Sequence, residues 1–219
     1  LYENSLEIEV YPNSPDLISL HGFIRAIKAF MGKETGLKKY SLKKPEKYYK
    51  VKIDSSVKEV RPYTACAIIK SLSLSGQRLK NLIELQEKLH STIGRNRKRI
   101  AIGIYPLEKI RFPITYEARK PQDINFIPLE SDATMSAHQI LEKHSAGKTY
   151  SHMLANKEHF PVFVDSEKKI MSMPPIINSQ ETGKITESTR DVFIECSGSQ
   201  LSILQKTLNI IVTELAEQG

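Results

Sequence analysis

Apolar and polar residues alternate with two different periods along this chain, and each change of period marks an element. Near the N-terminus Leu6, Ile8 and Val10 alternate with Glu7 and Glu9, the pattern of a half-exposed strand. Leu17, Leu20, Ile24, Ile27 and Met31 then recur at helical spacing. Pro15 opens that helix, Ser14 stands where a cap is needed, Asp16 suits the dipole, and Gly32 ends it. Much of residues 33–57, with their lysines, tyrosines and Pro45, reads as a linker.

The main body begins near Arg61. The runs ACAIIKSLSL, RIAIGIYPLEKI (ended by Pro106), FPITYEARK and 192–197 read as strands. Between them GQRLKNLIELQEKLHSTIG reads as a helix with Leu79, Leu82, Ile83, Gln86 and Leu89 on one side and Gly94 as its stop. TMSAHQILEKHSAG reads as a helix capped by Thr134 and ended by Gly147. The last helix, SQLSILQKTLNIIVTELAEQ, carries the stripe Leu201, Leu204, Leu208, Ile211 and Leu215, with Ser199 as cap. Strands and helices mix without strict βαβ alternation, which predicts an α+β fold. Residues 1–57 form a small strand–helix piece with its linker, packed apart from the domain at 58–219.

Two places carry chemistry. Residues 160–173 predict a hairpin whose loop, most simply the four residues 166–169, sets Phe163 opposite Ser172. In 191–198, Val192, Ile194 and Cys196 share one strand face, and Phe193, Glu195 and Ser197 share the other. The first face is core; the second is either solvated or the floor of a pocket. The stretch IMSMPPIINSQETGKIT follows the hairpin and is too apolar for a plain loop, while Pro174 and Pro175 stop it being an inner strand.

Composition narrows the partners. The formal charge of +7 permits a nucleic acid. Arg95, Arg97, Lys98 and Arg99 fall together at a helix exit, where they suit the phosphates of a nucleic acid or, equally, a solvated loop or subunit contact. Cys66 and Cys196 are isolated, which favours reduced thiols and a cytoplasmic setting. No CxxC or HExxH occurs, and His138 and His144 fall on opposite sides of a helix, so no metal site is expected. No run is apolar enough to span a membrane. The start on Leu1 reads as an excised piece of a longer protein.

Three blocks in order, RPYTACAIIKSLSL, IELQEKLHSTIGRNRKRIAIGIYPLEKI and MSMPPIINSQETGKITESTRDVFIECSG, resemble the phenylalanyl-tRNA synthetase β subunit of the archaeal/eukaryotic type. The part from about Arg61 to Gln218 is similar to its B3/B4 editing module, which implies largely antiparallel sheets with packed helices. The resemblance implies a parent that makes Phe-tRNA(Phe) with ATP and Mg2+, in an α2β2 assembly whose aminoacylation site lies in the α subunit. This stretch itself would need no cofactor. The editing module removes tyrosine wrongly esterified to tRNA(Phe).

Residues that line the family's editing pocket fall on Phe163, Ser172, Glu195 and Ser197, with Asn178 nearby. The family commonly has leucine, aspartate and threonine at the positions of Phe163, Glu195 and Ser197. Near the N-terminus its Asn-Arg-Pro-Asp-Leu is Asn13-Ser14-Pro15-Asp16-Leu17 here, so no role of that arginine carries over. His144, Tyr150 and His152 also match a family block, with no mechanism attached.

The chemistry gives such a site a reason. A pocket built for phenylalanine discriminates against an added hydroxyl by only about a hundredfold. A second site with a buried acceptor reverses the preference, because phenylalanine leaves that acceptor unpaired at about 1–3 kcal/mol. Glu195 is the expected acceptor, helped by Ser172 and Ser197, with Phe163 against the ring. The ester is already activated, so a positioned water and oxyanion stabilisation suffice, and no catalytic group is assigned. Two other readings stand beside this: a non-catalytic RNA-docking or subunit-assembly domain, and a free-standing RNA-binding protein.

Overall fold

The computed structural model describes residues 7–218. In chain order its elements are α1 (Leu20–Phe30), β1 (Val51–Ile53), β2 (Tyr63–Ile69), α2 (Gly76–Ser91), β3 (Ile100–Pro106), β4 (Ile114–Arg119), β5 (Asn125–Phe126), β6 (Met135–Ser136), α3 (Ala137–Lys143), α4 (Ser145–Tyr150), β7 (Phe160–Val164), β8 (Ile170–Met173), β9 (Ile177–Asn178), α5 (Gln180–Gly183), β10 (Val192–Gly198) and α6 (Leu201–Ala216). The α+β expectation holds. A five-stranded sheet runs β1-β4-β7-β8-β9, a three-stranded sheet β2-β10-β3, and β5 pairs with β6. Among the described residues only the β1–β4 pair is parallel; the other ladders run antiparallel.

Three apolar clusters give the layers. Ile100, Ile102, Ile104, Val192, Ile194 and Cys196 meet Leu82, Leu85 and Leu89 of α2 and Leu204, Ile211 and Leu215 of α6. Val162, Val164 and Phe160 meet Ala137 and Ile140 of α3. Between the two sheets lie Tyr105 and Phe193 on one side and Tyr116, Phe163 and Met171 on the other. The order is therefore helices, three-stranded sheet, five-stranded sheet, helices. Each fully buried Ile, Leu or Phe contributes about 1.5–3 kcal/mol of burial. The odd and even residues of β10 thus serve different layers, as its alternation predicts.

Several expectations need correction. No strand occurs over residues 7–14, and Leu6 lies outside the described residues. Pro15 opens a 3-10 turn, Pro15–Ile18, and α1 starts only at Leu20 because the Ser19 hydroxyl accepts from Gly22 N (3.1 Å). The stripe Leu20, Ile24, Ile27 and Met31 is exposed, and α1 instead docks on α6 through polar groups. His21 bonds Glu214 at 2.7 Å and Arg25 bonds Glu217 at 3.3 Å, while Ile18 packs against the α2/α6 cluster. Residues 51–57 are not linker, since β1 joins the sheet and Val57 is buried between the sheets.

On α2, Leu85 is buried and Ile83 exposed. The long helix expected over 134–147 is two: Ser136 caps α3 in a capping box with Gln139, and His144 caps α4, so Gly147 lies inside a helix. Gln200, not Ser199, precedes α6.

The hairpin pair Phe163–Ser172 stands, but the loop differs. Asp165 N–H bonds Lys169 O (3.0 Å), which closes a three-residue loop with Lys168 at φ 69°. The Asp165 carboxylate also accepts the Glu167 and Lys169 N–H groups (3.0 and 2.9 Å). Val164 then faces Ile170, and one bulged residue, Met171, restores the Phe163–Ser172 match. The bulge lets Met171 join the central cluster while Ser172 also reaches inward.

Candidate functional site

The floor of the site is set by β3 and β10. Ile100, Ile102 and Ile104 face the α2/α6 core, so Ala101, Gly103 and Tyr105 share the opposite face of β3. Gly103 pairs with Glu195 on β10. A methyl at Gly103 would come within 2.3 Å of Tyr105 Oη and 2.6 Å of Glu195 Oε1. The missing side chain is what lets those two groups meet across the strand.

Tyr105 Oη donates within a small network: it lies 2.8 Å from Ser172 Oγ and 3.3 Å from Glu195 Oε1. One phenol thereby links β8 of the larger sheet to β10 of the smaller. Glu195 is 1% exposed, and its second oxygen, Oε2, has no hydrogen-bond partner among the described residues. Burial pushes the Glu195 carboxyl up to about 8, against the pull of the Arg61 guanidinium and the Tyr105 hydroxyl. Burial next to that carboxylate holds the Tyr105 phenol well above its usual range, so it stays a donor.

Arg61 is 8% exposed and donates from Nε to Ser197 Oγ (3.2 Å) and from Nη2 to Ser197 O (2.7 Å). Tyr116 donates to Arg61 O (2.8 Å), and its ring stacks on Phe163 at 4.3 Å. A chain of contacts therefore runs Phe163, Tyr116, Arg61, Ser197 beneath the site.

Above Glu195 opens a cavity of about 420 Å³. Pro174, Pro175, Ile176, Ile177 and Asn178 form one wall, so the stiff apolar stretch after the hairpin is a cavity wall. Gln86, Glu87, His90 and Arg97 form the facing wall, and His144 stands at the rim. Arg97 fastens the two walls together. Its guanidinium donates to Ile176 O (3.0 Å) and Glu87 (2.9 Å) and lies 4.4 Å over the Tyr150 ring.

Both imidazoles on the cavity are already engaged. His90 Nε2 accepts from Ile102 N (2.9 Å) and Nδ1 meets Glu87 at 3.2 Å. His144 Nδ1 accepts from Ala146 N (3.2 Å), which fixes Nε2 as the donor to Leu129 O (3.0 Å). Neither nitrogen pair is free for proton transfer, so the cavity is built for recognition more than for a His-based mechanism.

Of the five expected substrate residues, Glu195 and Asn178 line the cavity. Phe163, Ser172 and Ser197 are buried behind it at 0%, 1% and 0% exposure. They support the carboxylate through Tyr105 and Arg61 and do not face the opening. Among the basic residues, Lys98 is exposed, Arg97 bonds both walls while its Nε has no partner among the described residues, and Arg95 is exposed at φ 48°. Sequence reading missed Tyr105, Arg61 and Gly103. Gly103 and Tyr105 had a signal: a glycine and a phenol on the off-core face of an isoleucine-rich strand. Arg61, outside any periodic segment, had none. No group of three or more His, Cys, Asp or Glu residues able to hold a metal occurs among the described residues.

No family model matches the chain. It is similar to the phenylalanine-tRNA ligase beta subunit of Thermococcus sibiricus, 44% identical over 94% of this chain and 37% of the relative. The corresponding subunit of Methanosphaera stadtmanae is 40% identical over 98% of this chain and 38% of its own length. The crystal structure of an N-terminal fragment of the phenylalanyl-tRNA synthetase beta-subunit from Pyrococcus horikoshii superposes with a TM-score of 0.91 at 43% identity, covering 95% of this chain and 59% of that one. The chain thus spans under two fifths of the length of these curated relatives.

Proposed function

Taking the chain as homologous to part of a phenylalanine-tRNA ligase beta subunit, we propose that it proofreads: it hydrolyses the ester of Tyr-tRNA(Phe) made in error by the parent enzyme. The observation that carries this reading is Glu195, at the floor of a 420 Å³ cavity with Oε2 lacking a partner among the described residues. A phenol hydroxyl entering the cavity satisfies that oxygen, and a phenylalanine ring leaves it orphaned. The difference is worth about 1–3 kcal/mol, the sense of discrimination a proofreading site requires. The neutral carboxyl favoured near pH 7 can donate to the phenol oxygen, and the ionised one accepts from it, so both forms recognise the hydroxyl.

In this reading Tyr105, Gly103 and Ser172 position the carboxylate, and the Pro174–Asn178 wall covers the ring. Asn178 sits beside the entrance to fix the ester, and water is the nucleophile. The parent attaches phenylalanine to tRNA(Phe) using ATP and Mg2+ in an α subunit, as an α2β2 cytoplasmic assembly; this chain supplies none of that chemistry. No helix of the described residues is long and apolar enough to cross a membrane.

The test is deacylation of Tyr-tRNA(Phe) by the assembled ligase. Glu195→Ala should lower the rate about ten- to two-hundredfold, the equivalent of about 1.5–3 kcal/mol. Glu195→Asp should be milder. A non-catalytic docking role is the second reading, favoured by the burial of Phe163, Ser172 and Ser197 behind the cavity. Equal deacylation by wild type and a normally folded Glu195→Ala enzyme establishes it instead.

A further inference from the structure

A second cavity, of about 270 Å³, opens on the other side of Pro175. Arg61, Lys98 and His152 line it together with Pro175, and no Asp or Glu does. The Arg61 guanidinium is the unusual part. It is 8% exposed, its two hydrogen bonds both go to Ser197, and no carboxylate among the described residues lies within salt-bridge distance. Arginine stays charged even when buried, and an unpaired buried charge is costly. Glu195, the acid whose charge acts on Arg61, makes no salt bridge with it, and burial pushes its carboxyl up. A fixed guanidinium with Nη1 uncommitted, an exposed ammonium on Lys98 and an imidazole on His152 therefore face one cavity with no anion of the protein's own.

We propose that this cavity is a phosphate subsite, which takes a backbone phosphodiester of single-stranded RNA. A guanidinium whose other nitrogens are pinned presents a fixed fork to phosphate oxygens. The exposed Lys98 adds charge, and His152 adds a donor. RNA is the occupant because the cavity shares Pro175 with the first cavity, Lys98 adjoins the wall residue Arg97, and the chain carries a net charge of +7. A terminal nucleotide lying across Pro175 would put its phosphate here and its sugar at the larger opening. The subsite stands independently of any hydrolysis there, since its test reads binding alone.

The experiment titrates the chain with a C-C-A ribotrinucleotide and, separately, with inorganic phosphate, by calorimetry at several salt concentrations. Wild type should bind the trinucleotide, and phosphate should compete with it. Lys98→Gln should weaken trinucleotide binding about three- to tenfold and reduce the log–log salt slope by about 0.7, one phosphate contact on a single strand. His152→Gln should weaken it with the slope unchanged. Lys206→Gln, on α6 beyond the three-stranded sheet, should leave both within twofold. Arg61→Lys tests the fork, and because that variant risks the fold, the two exposed positions decide. Wild-type affinity of Lys98→Gln and His152→Gln for both probes overturns the subsite. Lys98-dependent phosphate binding with which the trinucleotide does not compete overturns the assignment to RNA.

Discussion

The two faces of β10 are built from alternate residues of one strand, yet they obey different rules. Val192, Ile194 and Cys196 face α2 and α6, are all 0% exposed, and belong to the apolar cluster those helices form with the sheet. Phe193, Glu195 and Ser197 are equally buried but carry a carboxylate with one unpartnered oxygen and a hydroxyl held by a guanidinium. Burial is the same on both sides; the chemistry of the strand's own side chains is not. A face that keeps an unsatisfied acid bears a cost that packing alone would have removed. Such a departure is where a site is to be sought.

The comparison breaks first where the core face is cut. Ile194→Ala should destabilise the fold by about 2–5 kcal/mol, through lost burial plus the cavity left between sheet and helices, read as a lower urea midpoint. Loss of less than about 1 kcal/mol would mean that this face is not close-packed.

On the site face the corresponding steric change is Gly103→Ala. The new methyl meets Tyr105 Oη, the Tyr105 ring edge and Glu195 Oε1 at 2.3, 2.7 and 2.6 Å, and both buried side chains must shift to admit it. Stability should fall by about 1–3 kcal/mol, the range for overpacking. Deacylation of Tyr-tRNA(Phe) should fall more than stability accounts for, because the carboxylate is displaced. A variant with both properties unchanged would remove Gly103 from the site.

The same contrast explains what was legible in the sequence. Period-two and period-3.6 patterns located β2, β3, β4, β7, β10, α2 and α6, because each turns at least one face to an apolar cluster. Glu195 and Ser197 were separated from Ile194 by alternation alone. The resemblance, not periodicity, singled out Phe163, Ser172 and Asn178. The misreadings share a cause. The stripe on α1 looks like a core stripe, but its docking uses His21–Glu214 and Arg25–Glu217, and polar pairs leave no apolar period. The loop at 165–169 has an αL lysine where glycine is usual, so turn chemistry did not reveal its length. Arg61 lies 136 residues from Ser197, and nothing local announces such a partner.

The acid face should also announce itself through pH. Glu195 has its folded carboxyl raised to about 8 from the usual 4.5. Between those values the unfolded chain has lost this proton and the folded chain keeps it, so the stabilising linkage is full below about 4.5 and is lost as pH rises through 8. Stability should fall across that window by up to roughly 1.4 kcal/mol per pH unit from this group. Glu195→Gln should abolish that component and leave the fold more stable than wild type at pH 8, in urea titrations at pH 5, 6.5 and 8. Parallel pH profiles for the two proteins would show that Glu195 is ionised in the fold. Ile194→Val, on the other face, should shift stability without changing the profile.

The smallest effect separates the faces by their thiols. Cys66 pairs in register with Glu195, and Cys196 sits between Ala65 and Ile102 in the core layer. Both are free cysteines, Cys66 half-buried and Cys196 buried. Burial pushes the Cys66 thiol up to about 12 and raises Cys196 well above its usual range, so neither is an appreciable thiolate at pH 7.5. Reaction with a thiol reagent therefore waits on opening of the structure. The site face is bordered by a cavity and by β2 at the edge of its sheet, so reaching Cys66 requires only local opening. Reaching Cys196 requires parting α6 or α2 from the sheet, close to global unfolding. Iodoacetamide mass mapping should find Cys66 modified several times faster than Cys196, with both modified together in denaturing urea. Equal slow rates in water would mean that the two faces open as one unit, and the mechanical half of the contrast would fail while the electrostatic half stood.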